Sequence, residues 1–431
     1  MKRYDLLYRL YDEFDTDRLR EYQDFVDLFP PVDSRVALEY WQDASDELAA
    51  HKEEIREAFA DGDVLCEVAA RTDRDGAFTA LDLHSEYGRA LNALVLDVDE
   101  TLRSAGGTDN EIPRDTLHVL TEFHEAGVPI VICTGQTLEN VKGFAIQGLG
   151  NELVHSGEVS IVYEAGTGVF TPGHGSNTKR LLYDDLDDDV VDTFEAIRGR
   201  VLTEAPADLR RGVHLQGNEF NVTLKPNFDI GSPQAEDVID RGLVYLLDLL
   251  GEAVAARTNE IVDDPPGDAA TDDCPASGAA LARAYYADAD PEIAGVLADR
   301  DAAPGLDADD VPPSAAALFD RIDVAYYHAD AAEIGSRELN KVAGVGAALD
   351  VLDVSDPFVL VMGDSKSDLR VMEWAEETGS GVSAAPEHSS RNVLDHVGST
   401  DDLVFTPGAA ADVLRTMYAW RCLANVNDSG R

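Results

Sequence analysis

Six residues of this chain have types and surroundings suited to chemistry on an anionic group. Asp97 and Asp99 follow the apolar run 93–96, Thr134 follows the run 129–133, and Asp364 and Asp368 follow the run 358–362. Lys341 opens a helical pattern that leads into the last of these runs. A carboxylate at a strand end can attack phosphorus and form an aspartyl-phosphate. A second carboxylate two residues on turns away in the extended chain and can exchange a proton with a leaving oxygen. Carboxylates and a backbone carbonyl are the hard oxygen donors that Mg²⁺ takes. A hydroxyl and an ammonium group can hold phosphoryl oxygens. The expected roles are therefore Asp97 as nucleophile, Asp99 as acid/base, and Thr134 and Lys341 on the phosphoryl oxygens. The expected Mg²⁺ set is Asp97, Asp99 (through its carbonyl), Asp364 and Asp368. Asp368, one helical turn beyond Asp364, is also expected to orient Lys341 or a metal-bound water. Together these are the parts that in-line phosphoryl transfer needs.

The three runs must become neighbouring strands for these residues to meet. Runs 91–97, 128–135 and 358–364 are almost wholly apolar, as in strands buried on both faces. Helical patterns lie between them, at 113–127, 138–150, 340–352 and 367–379. Strands alternating with helices give βαβ units and a parallel sheet, in which ligands sit at the C-terminal strand ends. The stretch 169–335 interrupts that texture. Within it, 212–226 alternates like a half-covered sheet, 239–250 reads as a helix, and 263–316 is rich in Asp, Ala, Pro and Gly, a solvated loop or short helices. Residues 1–60 read as helices. The runs 64–70 and 77–83 flank Asp73-Arg74-Asp75-Gly76 and are expected to form a hairpin. The expected division is a mainly helical extension at 1–88, a first core part at 89–168, an insertion at 169–335 and a second core part at 336–431.

Composition limits the partners. The chain has 431 residues, 34 Lys+Arg and 84 Asp+Glu, a formal charge of −50, with 44% hydrophobic residues. It is long enough for several packed cores. The charge excludes nucleic acid and anionic membranes as main partners, since both need a basic face. Acid is spread along the whole chain and only seven of the basic residues are lysine. Such a surface repels itself at ordinary salt and is relieved in molar salt, where the Debye length falls to about 3 Å. This is the composition expected of an intracellular protein of an extreme halophile. The cysteines, Cys66, Cys133, Cys274 and Cys422, show no metal or redox spacing. No signal-like or membrane-length apolar run occurs, so a cytoplasmic, soluble protein is expected.

The ordered set Asp97-Val98-Asp99-Glu100-Thr101, Thr134-Gly135, Lys341 and Gly363-Asp364-Ser365-Lys366-Ser367-Asp368 resembles the haloacid dehalogenase superfamily of aspartate-nucleophile phosphotransferases. The likeness covers about 90–170 and 336–431. It implies an α/β fold with a Rossmann-like parallel sheet core, and the insertion looks like the α+β C2 cap of class IIB phosphatases. It also implies Mg²⁺ as cofactor and a small phosphorylated metabolite, such as a sugar phosphate, as substrate. Glu164-Ala165-Gly166 resembles that subgroup's Glu-Asn-Gly element. Two positions depart from its pattern: Glu100 stands where Gly is usual, and Gln136 where many relatives have Arg. Asp99 separates the chain from the dehalogenases, which lack that acid. The alternatives are a phosphomutase using the same residues, or a non-catalytic binding or regulatory protein acting through the N-terminal helices.

Overall fold

Apolar runs that are buried along their whole length become the middle of a parallel sheet. The computed structural model describes residues 2–29, 34–103, 112–258, 277–400 and 402–426. In chain order its strands are β1 (Ala93–Asp97), β2 (Ile130–Cys133), β3 (Val159–Tyr163), β4 (Gly168–Phe170), β5 (Lys179–Leu181), β6 (Val213–Gln216), β7 (Asn221–Pro226), β8 (Ile322–Tyr327), β9 (Ala331–Ser336), β10 (Val359–Met362), β11 (Gly381–Pro386) and β12 (Leu403–Phe405). Eight form one sheet in the order β12-β11-β10-β1-β2-β3-β4-β5. From β12 to β3 neighbouring strands are parallel, and β4 turns back antiparallel on β3. Every residue of β1, β2, β3 and β10 is buried, which is why each reads as an uninterrupted apolar run. The fold is thus α/β with a Rossmann-like, mainly parallel sheet.

Register sets the three strand ends level. Leu96 lies opposite Met362 and Asp97 opposite Cys133, so Asp97, Gly363 and Thr134 emerge side by side. The helix Lys341–Val351 packs on β2, β3 and β4. Its Gly344 permits that approach, since a Cβ there would lie 2.3 Å from a methyl of Val162.

The chain divides into two compact units, Met1–Arg180 with Lys341–Arg431, and Leu181–Asn340. The first contains the large sheet and five N-terminal helices, Lys2–Glu13, Thr16–Asp27, Arg35–Ala58, Gly62–Arg71 and Arg74–Tyr87. The hairpin expected over 64–83 is not formed: both runs are helical. Asp73 caps the second helix by accepting from the Gly76 N–H at 2.8 Å, and Gly88 ends it at φ 65°. Leu65, Cys66, Ala69, Ala77, Ala80 and Leu81 are buried, and both helices pack on the C-terminal helix Ala410–Ala424. Spacings of three and four among these residues mark a helix face, which a short apolar run conceals. Arg71 ties this layer to the helix Arg114–Glu125 through Glu122 at 2.6 Å.

The second unit holds the antiparallel sheet β6-β7-β9-β8. Val222 and Leu224 of β7 and Ile334 of β9 are buried, and the 26-residue helix Pro233–Thr258 packs on these two strands. The sequence left 263–316 open between loop and short helices. Helices Gly278–Ala289, Pro291–Asp299 and Pro313–Phe319 occupy the described part, while 263–276, with Cys274, lies outside the described residues. Cys66, Cys133 and Cys422 are free thiols. Among the described residues no helix is long and apolar enough to cross a membrane.

Candidate active site

The central feature is one buried cation between two buried carboxylates. Lys341 Nζ donates to Asp97 Oδ1 at 2.7 Å and to Asp368 Oδ1 at 2.5 Å. All three side chains are below a tenth exposed. Asp97 is delivered by the end of β1 and Lys341 by the first residue of its helix. Asp368 comes from the first turn of the helix Lys366–Glu377, where it completes a capping box with Ser365. Its Oδ2 accepts from the Ser365 amide at 3.1 Å and hydroxyl at 2.6 Å. Gly363 leaves the room this requires, since a Cβ there would lie 2.3 Å from that of Asp368. The Gly-Asp-x-x-x-Asp spacing therefore has two functions: it starts a helix and it aims a carboxylate at Lys341.

Carboxylate oxygens of Asp97, Asp364 and Asp368 all lie within 4.8 Å of one another. Burial raises the Asp97 pKa well above the usual carboxylate range, with Lys341 opposing and Asp368 adding to the rise. Burial, then the charge of Asp368, pushes Asp364 up to about 6. Burial alone would lower the Lys341 pKa, but Asp368 and Asp97 outweigh it and hold the ammonium charged. Three clustered acids with one cation make an electron-rich site of hard oxygens, which suits Mg²⁺. Asp97 and Asp364 fit as ligands. Asp368 has Lys341 on one oxygen and Ser365 on the other, and fits better as the group that orients Lys341.

The expected Asp99 lies apart from this trio. Its side chain is not among the three clustered carboxylates; instead it accepts from Arg103 Nε and Nη2 at 3.0 and 2.7 Å and from Gln136 Nε2 at 2.5 Å. Thr134 is buried at the end of β2, and its hydroxyl accepts from the Gln136 N–H at 3.0 Å. The backbone of Thr134 and Gln136 is pinned in turn, because their carbonyls accept from the amides of Ala165 and Glu164. Both of those residues have left-handed backbones, at φ 56° and 49°. Glu100 is also left-handed, at φ 62°, the conformation that favours glycine.

Four neighbours were not singled out from the sequence. Thr101 Oγ1 faces Asp364 at 3.5 Å, Arg103 pairs with Asp99, and His388 Nε2 lies 3.6 Å from Glu100 Oε2. Ser365 caps Asp368. Thr101 and Ser365 stood inside the quoted motifs, whereas Arg103 and His388 sit in loops that carry no periodic signal. Cys133 ends β2 as an inert core thiol, its pKa raised by burial.

No protein-family model matches the sequence, and no curated protein matches it. Among solved structures, the chain is similar to a haloacid dehalogenase-like hydrolase from Bacteroides thetaiotaomicron, at 15% identity over 76% of this chain and 98% of that chain, with a TM-score of 0.38. It is similar to a subclass IIB sugar phosphatase of the HAD superfamily at 17% identity, over 76% and 98% of the two chains, with a TM-score of 0.40. It is also similar to a haloacid dehalogenase-like hydrolase from B. subtilis, at 13% identity over 76% and 99%, with a TM-score of 0.40.

Proposed function

We propose that the protein is a Mg²⁺-dependent phosphatase of small phosphate monoesters, such as sugar phosphates, working in the salt-rich cytoplasm of a halophile. The observation that carries this reading is the buried Lys341 bridging Asp97 and Asp368, with Asp364 alongside. Lys341 holds Asp97 Oδ1, which leaves Oδ2 as the attacking atom. As the Asp97 Oδ2–P bond forms, the bond from phosphorus to the ester oxygen breaks, and that oxygen takes its electron pair and a proton from Asp99. Water then attacks the aspartyl-phosphate, Asp99 accepts the water's proton, and the Asp97 O–P bond breaks to release phosphate. Mg²⁺ held by Asp97 and Asp364 would offset the repulsion between the nucleophile and an anionic substrate. Thr134, at the adjacent strand end, is assigned to the phosphoryl oxygens.

The test is phosphate release from p-nitrophenyl phosphate and a panel of phosphorylated metabolites in molar KCl, with Mg²⁺ and with EDTA. Release that depends on Mg²⁺ is expected. Absence of release from every compound refutes the reading. A strict need for a bisphosphate activator with little free phosphate would identify a mutase instead.

A further inference from the structure

The proposed mechanism needs Asp99 to lose and regain a proton, yet its side chain is about two-fifths exposed and on its own would rotate freely. Three contacts prevent this, and they are unequally divided. The Arg103 Nε and Nη2 donors go to the same oxygen, Oδ1, at 3.0 and 2.7 Å. The single Gln136 donor goes to Oδ2 at 2.5 Å. An ionised carboxylate has about two acceptor sites per oxygen, so Arg103 fills Oδ1 while Oδ2 keeps one open. Arg103 is itself rigid: its side chain is 6% exposed, and its backbone amide is bonded to the Val98 carbonyl at 3.1 Å. Gln136 is held at its own amide by the Thr134 hydroxyl.

We infer that Arg103 and Gln136 are positioning residues for the proton transfer, Arg103 fixing Asp99 Oδ1 so that Oδ2 is the oxygen that carries the proton, and Gln136 serving that oxygen. This rests on the phosphatase reading above. The residue types fit the two tasks. A guanidinium has donors only, so it can hold an oxygen that stays unprotonated throughout. A carboxamide donates without bringing a charge, and Gln136 Nε2 takes one of the two acceptor sites of Oδ2, leaving the other for the proton that passes to the leaving oxygen. The Arg103–Asp99 pair also closes the loop 98–103, so a purely structural role has to be separated from a positioning one.

Leaving-group dependence separates them. Phenyl phosphate needs its departing oxygen protonated, whereas p-nitrophenol leaves readily without help. Arg103→Met and Gln136→Leu should each lower kcat/KM, which reports only the steps through departure of the leaving group and not the later hydrolysis of the phosphoenzyme, by about 10- to 100-fold for phenyl phosphate, part of the range for losing general acid catalysis, and by less than about threefold for p-nitrophenyl phosphate. Arg103→Lys, which keeps the charge but not the fork, should fall between wild type and Arg103→Met on phenyl phosphate. Adding Arg103→Met to Asp99→Asn should cost nothing further, because both act through one group. Melting curves establish that each variant is folded; if Arg103→Met is not, the half-buried Gln136→Leu carries the same prediction. Equal losses of kcat/KM on both substrates in a folded variant, or additive losses in the double variant, overturn the positioning assignment alone. A wild-type protein inactive on both aryl phosphates and on every metabolite of the panel overturns the phosphatase reading and this inference with it.

Discussion

Asp364→Asn should make the metal-free protein more stable and catalytically dead. In the absence of metal, Asp364 is pressed by burial and by Asp368, which raise its pKa from 3.8 to about 6. A carboxyl with a folded pKa above its unfolded value binds more protons in the native state. Stability therefore falls as pH rises from about 4 through about 6, and the full loss is present above that window. The difference between 3.8 and about 6 corresponds to about 3 kcal/mol, and partial exposure of the group reduces this to about 1–3 kcal/mol. Asparagine has nearly the same shape and carries no charge, so the variant should recover that amount at pH 8 and nothing at pH 4. Mg²⁺ should reverse the ranking at pH 8. It stabilises the wild type by about 2.7 kcal/mol at one hundred times its dissociation constant, and should do little for a variant lacking a ligand. The assay is urea unfolding in molar KCl, with EDTA or Mg²⁺, at pH 4 and pH 8. A variant that is less stable than wild type at pH 8 in EDTA, or equally stabilised by Mg²⁺, refutes the electrostatic reasoning.

Three other outcomes are expected. Lys341→Met removes the sole ammonium held between Asp97 and Asp368, and stranding buried charges costs about 3–5 kcal/mol; a loss below about 1 kcal/mol by urea unfolding contradicts the buried triad. Glu100→Gly relieves a left-handed backbone at φ 62° and should raise stability by about 0.5–1 kcal/mol, less if the contact to His388 contributes; a lowered melting temperature would show that the Glu100 side chain is needed. With a charge of −50, the fold should weaken as KCl falls from molar to about 0.1 M, where the Debye length grows to about 10 Å; circular dichroism unchanged across that range sinks the halophile reading.

What the sequence made legible follows from how strongly each element is constrained. Strands β1, β2 and β10 are buried at every position, so their apolar runs stand out and their ends could be compared. The juxtaposition of Asp97, Asp364, Asp368 and Lys341 then follows from strand order and register. The helices Gly62–Arg71 and Arg74–Tyr87 look like a hairpin in the sequence because seven-residue apolar runs fit either periodicity. The Asp73 cap and the partner helix Ala410–Ala424 decide between them, and the partner lies more than 300 positions away. Arg103 was invisible for a different reason. Its spacing of four from Asp99 marks a contact on a helix, but 99–103 is a loop, and only its closure brings the pair together. Gln136 stands out in the sequence as a departure from the family pattern, but its contact with Asp99 joins two loops 37 positions apart and leaves no local signal.

The mechanism depends on attack by Asp97 on phosphorus, and rapid quench with ³²P-labelled substrate, applied to wild type, Asp97→Asn and Asp99→Asn, detects the bond that attack would form. Asp99→Asn, which attacks but releases slowly, should accumulate acid-stable, hydroxylamine-sensitive label, mapped by peptide sequencing to Asp97. Asp97→Asn should take no label and turn over at background. Label or normal turnover in Asp97→Asn would place the nucleophile elsewhere and contradict the mechanism.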